Sequence, residues 1–259
     1  MYSNNPSEDD VKKELLRKIK ESTEKFPPTV GVIGVSGTGK SSTLNSMFKL
    51  NLTTSASVRC TTEFLSTNIK LDVKHGLAAG NVAELRVIDA PGLGEDLSQD
   101  SVYLSMYENT LDKCDVIIWV MAARNRAVAL DQMYLKKLSR FHNKIVFGIN
   151  QVDLLEPLNW NAKHNLPSDQ QKQYVQEIID DRRNRIRPHF SEPISITAYS
   201  AQMHFMLINL YDAVIDKCPD DRRWLFELFR ATSAEAWLER ASGLTASEKQ
   251  GILRKYTKK

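Results

Sequence analysis

Apolar positions along the chain follow two rhythms, and the two alternate. Between residues 8 and 25, Val11, Leu15, Leu16 and Ile19 recur at helical spacing among Lys and Glu, which predicts an amphipathic helix ending before Pro27-Pro28. Thr29 to Val35 is a short β-branched apolar run, followed by a glycine-rich turn over residues 34–41 and a helical stretch to about Leu50. Residues 51–65 are rich in Ser and Thr without periodicity. Residues 66–73 and 83–90 alternate as strands do, and predict a hairpin closing through His75-Gly76 and Gly80-Asn81. Helices then follow at about 100–112, 127–141, 170–187 and 203–217, interleaved with strands at 115–122, 144–150 and 193–198 and a polar loop at 154–169.

Strand and helix in alternation predict an α/β fold, with a mostly parallel sheet, helices on both faces and ligands at the carboxyl ends of the strands. Three parts are expected: a helical segment at 1–28, an α/β domain at 29–217, and a helical appendage at 218–259 with no further strand. In the appendage Trp224, Leu225, Leu228, Phe229, Trp237 and Leu238 form an apolar stripe, read as packing on the domain or as a partner-facing surface.

Composition narrows the classes without choosing among them. With 259 residues, 42% apolar and 26% charged, the chain has the make-up of a folded protein of one or two domains. Its 35 Lys and Arg nearly cancel 32 Asp and Glu, leaving a formal charge of +3, so no dedicated DNA-binding surface is expected. Cys60, Cys114 and Cys218 are odd in number and far apart, which argues against a disulfide framework and a zinc knuckle and for the cytoplasm. The run from Val116 to Ala123 is too short to span a bilayer. Arg182, Arg183, Arg185 and Arg187 are expected on a solvated helix face, their charge offset by Asp180 and Asp181.

Chemistry enters with Gly34-x-x-x-x-Gly39-Lys40-Ser41, set between a strand and a helix as a phosphate-binding loop requires. Gly37 and Gly39 let successive N–H groups of residues 36–42 (Ser36, Gly37, Thr38, Gly39, Lys40, Ser41 and Ser42) converge on phosphate oxygens. Lys40 would reach the terminal phosphates and Ser41 would ligate Mg2+. Asp89-Ala-Pro-Gly92 closes the third strand, where Asp89 can serve the magnesium and the Gly92 N–H the γ-phosphate. Asn150-Gln-Val-Asp153 closes a later strand, and the Asp153 carboxylate could accept both N–H groups that guanine, and not adenine, presents on one edge. Ser200-Ala201 follows the last strand, where a backbone N–H can approach the guanine carbonyl.

In this order, each after a strand, these motifs resemble the translation-factor-related class of GTP-binding proteins. The likeness is to its Era-like and bacterial predicted GTPase branch and, more distantly, to immunity-related GTPases. It covers about residues 29–217. It implies a six-stranded G domain, GTP and GDP as ligands with Mg2+, and slow hydrolysis of GTP in a nucleotide-dependent switch. It makes Thr61 or Thr62 the switch threonine, with Thr61 preferred as a magnesium ligand, and Arg59 a candidate cis arginine. Gln151 stands where the family has Lys, so packing on the base should be looser. Leu93 stands where Ras proteins carry the Gln that orients water, so intrinsic hydrolysis should be slow. A non-hydrolysing, nucleotide-stabilised interaction module and an ATP-using phosphotransferase remain the rival readings. A GTP-dependent homodimer, a protein effector, RNA or the ribosome, and a membrane surface all stay open as partners.

Overall fold

A computed structural model of the chain describes residues 7–25, 27–50, 52, 64–72, 82–94, 100–126, 128–227, 229, 230 and 247. Its elements run α1 (Glu8–Lys25), β1 (Thr29–Ile33), α2 (Lys40–Phe48), β2 (Leu65–Asp72), β3 (Val82–Asp89), α3 (Asp100–Leu111), β4 (Val116–Ala122), α4 (Ala129–Lys137), β5 (Ile145–Asn150), α5 (Asp169–Ile186), β6 (Ile196–Ala198) and α6 (Leu207–Lys217). Six strands form one sheet in the order β2-β3-β1-β4-β5-β6, antiparallel only between β2 and β3.

The central strand shows why the sheet takes helices on both sides. Every residue of β4 is buried, and successive side chains enter opposite layers. Val116, Ile118 and Val120 join Leu44 and Met47 of α2 and Leu210, Tyr211 and Val214 of α6. Ile117, Trp119 and Met121 join Tyr107 and Leu111 of α3, Leu135 of α4 and Ile186 of α5. Each such side chain contributes about 1.5–3 kcal/mol by leaving water. Phe226 and Phe229 are fully buried in the α2/α6 layer, and the Tyr211 hydroxyl donates to Phe226 O at 3.2 Å. Leu225 is buried too, whereas Leu228, Trp237 and Leu238 of the expected stripe lie outside the described residues.

Several boundaries differ from expectation for visible reasons. The strand expected at 193–198 pairs with β5 only over Ile196–Ala198; Pro193 before it has no N–H to offer a ladder. The helix expected from 203 begins at Leu207 because Ser200 and Phe205 exchange backbone hydrogen bonds of 3.1 and 3.0 Å, closing a turn over Ala201–His204. The helix expected to 141 stops at Lys137 and tightens to a 3-10 turn over Ser139–Lys144. The hairpin turn through His75-Gly76 and Gly80-Asn81 lies outside the described residues.

Candidate functional site

The glycine-rich loop leaves β1 and enters α2 under tight steric limits. A Cβ on Gly34 would lie 2.2 Å from Val120 O of the neighbouring strand. Gly39, at φ 86°, would press one within 2.4 Å of Asn150 Nδ2. Gly39 is also the N-cap of α2; no side chain caps that end and no acid sits in its first turn, so the first N–H groups remain for an anion. Ser36 and Gly37 are exposed at the loop tip, Thr38, Lys40 and Ser41 are buried, and Ser42 is half-buried. The Lys40 Nζ donates to Gly34 O at 3.2 Å and Val35 O at 3.3 Å, which folds the cation back over the loop.

Neighbouring strand ends complete this side of the candidate site. Asp89, the last residue of β3 and 1% exposed, accepts from the Ser41 hydroxyl through Oδ2 at 2.5 Å. Serine and carboxylate oxygens are hard donors, and magnesium binds through one or two carboxylates plus phosphate oxygens and water, so this pair fits that ion. The Leu93 N–H donates to Gly34 O at 3.0 Å and Leu93 bridges to Val35, which brings Gly92 alongside the phosphate loop. The Leu93 side chain itself is buried among Ile33, Ile88 and Trp119.

Asn150 joins the other motifs to this loop. Buried at the end of β5, its Nδ2 donates to Thr38 O at 3.0 Å and its Oδ1 accepts from Ala201 N at 3.0 Å. Gln151 follows in a left-handed conformation, φ 67°, and its Nε2 donates to Gly37 O at 3.1 Å. Asp153 lies in the 3-10 turn Val152–Leu154, half-buried, and no hydrogen bond or ion pair holds its carboxylate among the described residues. Ser200 is buried with its hydroxyl accepting from Met203 N at 2.9 Å. Two further bonds tie α2 to the Ser200-Ala201 loop: Thr43 to the Tyr199 hydroxyl at 2.7 Å and Ser46 to Ala201 O at 2.8 Å. Burial raises the Tyr199 phenol above its ordinary pKa, so it stays a neutral partner for Thr43. Thr43, Ser46 and Tyr199 carry no motif, and only the fold brings them together.

One polar group in this region was not expected. Arg182 is 4% exposed rather than solvated. Its guanidinium donates to Asn125 O, in the loop after β4, and pairs with Asp181 at 2.5 Å. Near it, buried Asp131 of α4 accepts from Trp119 Nε1 at 2.8 Å. Burial pushes the Asp131 carboxyl above its usual range, while the Trp119 bond and the charge of Arg182 pull it back. Thr61, Thr62 and Arg59 lie outside the described residues.

Comparison with known proteins agrees with this geometry. A family model described as "50S ribosome-binding GTPase" matches residues 29–151. YfjP of Escherichia coli (strain K12) is 28% identical over 172 residues, covering 65% of this chain and 55% of YfjP. GTPase Der of Buchnera aphidicola is 26% identical over 129 residues, 48% of this chain and 26% of Der. Among solved structures, an Era variant from Aquifex aeolicus bound to GDP and AlF4− superposes with a TM-score of 0.56 at 18% identity, covering 75% of this chain and 58% of that one. A structure of chloroplast translocon components Toc33 and Toc159, described as showing that dimerization is important for their GTPase activity, gives 0.55 at 16% identity, with 80% and 90% covered. The chain spans about half the length of the first curated relatives it matches. No helix among the described residues is long and apolar enough to cross a membrane.

Proposed function

We propose that this chain, a P-loop GTPase of the translation-factor-related class with an Era-like relationship, is a magnesium-dependent guanine-nucleotide switch that hydrolyses GTP slowly. The observation that carries the reading is the Ser41–Asp89 contact of 2.5 Å at the mouth of a loop whose Lys40 is buried and whose helix N-terminus is open. Lys40, the amides of residues 36–42 and the Gly92 N–H receive the β- and γ-phosphates, and Asp153 takes the guanine edge with Asn150 and Ala201 behind it. Magnesium, held by Ser41, Asp89 and Thr61 or Thr62, neutralises phosphate charge when bound. Water attacks the γ-phosphorus as its bond to the bridging oxygen breaks and GDP leaves. The chain's contribution is position and fixed charge. Arg59 is the candidate to add charge there.

Slow turnover follows from Leu93: a buried apolar side chain stands after Gly92, and nothing at that position can orient the water. The same observation favours a second reading, a non-hydrolysing module stabilised by nucleotide, and multiple-turnover phosphate release separates the two. The switch output is assigned to residues 51–65 and 92–104, of which 51, 53–63 and 95–99 lie outside the described residues. We place the protein in the cytoplasm, and a homodimer is the partner this reading prefers, dimerization being described as important for the GTPase activity of the Toc components.

The test is competition of fluorescent GDP by GTP, GDP, ATP and XTP, in the wild type and in Asp153→Asn. Guanine preference that moves toward xanthine by ten-fold or more in the variant is the expected outcome. Equal competition by ATP in the wild type removes the guanine assignment and leaves only a phosphate loop.

A further inference from the structure

We propose that the loop after β4, the residues following β5 and the outer face of α5 form a self-complementary surface on which a second copy of this chain docks. It rests on the homodimer reading above and specifies which face makes the dimer. A cavity of about 730 Å³ opens between Ala123–Arg126, Leu154–Glu156 and the stretch of α5 from Tyr174 to Arg185. Leu155, Tyr174 and Ile178 give it apolar walls. Seven charged side chains share its lining; Asp181, Arg182 and Arg185 pair with one another, which leaves Arg124, Arg126, Glu156 and Glu177. All four are exposed, and among the described residues none makes an ion pair or a side-chain hydrogen bond.

That is unusual in this molecule. Every other described arginine is engaged by a carboxylate, an amide or a carbonyl of its own chain. Two arginines and two glutamates on one cavity, unpaired among the described residues, are what a two-fold interface needs: each arginine of one copy meets a glutamate of the other, and the relation is reciprocal. The apolar part is complementary as well. Leu158, two residues beyond Glu156, is 71% exposed and suits the apolar wall of the partner's cavity.

The surface is pre-shaped. Ala123 N donates to Asn150 O at 2.9 Å and Asn125 N to Ala122 O at 3.2 Å, while the buried Arg182 guanidinium grips Asn125 O from below. The residue between the two exposed arginines is therefore fixed, and a rigid loop loses little freedom on docking. Because the loop hangs from Asn150, which also bridges Thr38 and Ala201, the nucleotide site and this face share one support.

The experiment is sedimentation of the full chain from 1 to 100 µM with GDP or a non-hydrolysable GTP analogue, alongside fluorescent-GDP binding. Wild type should dimerise. Arg124→Glu with Arg126→Glu, and separately Glu156→Arg with Glu177→Arg, should each weaken dimerisation at least ten-fold with melting temperature and GDP affinity unchanged. An equimolar mixture of the two variants should recover a heterodimer. A wild type monomeric throughout, a dimer indifferent to both reversals, or a mixture that fails to pair overturns the proposal. Loss of GDP binding by the wild type would instead refute the nucleotide reading, so the two failures are distinguishable.

Discussion

Two loops leave the same edge of the sheet and use positive charge in opposite ways. The loop after β1 turns its lysine inward: Lys40 is buried and rests on the carbonyls of Gly34 and Val35, ready to exchange them for phosphate. The loop after β4 turns Arg124 and Arg126 outward, and its backbone is steadied by an arginine buried beneath it. We read the inward cation, within reach of an open helix N-terminus, as a ligand site and the outward pair, beside Glu156 and Glu177, as the proposed docking face. Sheet topology supplies both loops, and burial decides what each one does.

Breaking the inward loop should have the largest effect. Lys40→Ala removes the only cation of that loop, and with it charge-assisted bonds worth about 1.5–3 kcal/mol each on more than one phosphate oxygen. Affinity for fluorescent GDP should fall by about 100-fold or more, while the melting temperature without nucleotide changes little. Retained tight binding would contradict the phosphate-loop assignment.

Asp131, buried near Arg182, gives a smaller, pH-dependent effect. Asp131→Ala leaves the buried Trp119 N–H without its acceptor, costing about 1–3 kcal/mol and several degrees of melting temperature. Asp131→Asn keeps an acceptor oxygen and removes a charge that burial disfavours. Because the folded carboxyl titrates above its ordinary value of 3.8, the native state holds the proton more tightly than the unfolded chain. The contribution of Asp131 is therefore fully favourable below that value and declines as pH rises through the folded pKa. Melting curves of Asp131→Asn should converge with wild type at acid pH and match or exceed it at neutral pH. A variant that loses stability as pH rises would show the charge to be needed.

The contrast also explains what the sequence disclosed. The inward loop was legible because its chemistry is local: Gly34 to Ser41 are contiguous, and strand and helix periodicity flank them. The placing of Asp89, Asn150 and Ala201 was legible as an order of short motifs after strands. The outward loop was not, because its anchor Arg182 stands 57 residues from Asn125 and reads as one more charge on a polar helix. The start of α6 was misread for the same reason, since the bridge between Ser200 and Phe205 competes with helix and leaves no periodic trace. Asn150 was expected only as a member of a nucleotide-binding motif; its role as a brace between two loops follows from the fold.

The smallest expected effect concerns the link between the inward loop and the turn after β5. Gln151 reaches back to Gly37 O with its amide, 3.1 Å, so it latches the turn after β5 to the loop after β1. Gln151→Ala removes that latch, a hydrogen bond at a partly exposed position worth about 0.5–1.5 kcal/mol, and should speed release of fluorescent GDP two- to ten-fold. Gln151→Lys keeps a donor that can span the same gap and adds an aliphatic stem, which covers apolar surface while its charge stays in water. That variant should release GDP a few-fold more slowly than wild type. If Lys and Ala instead accelerate release equally, the side chain at 151 acts only through the amide, and the base end of the site owes nothing to what lies across the guanine face.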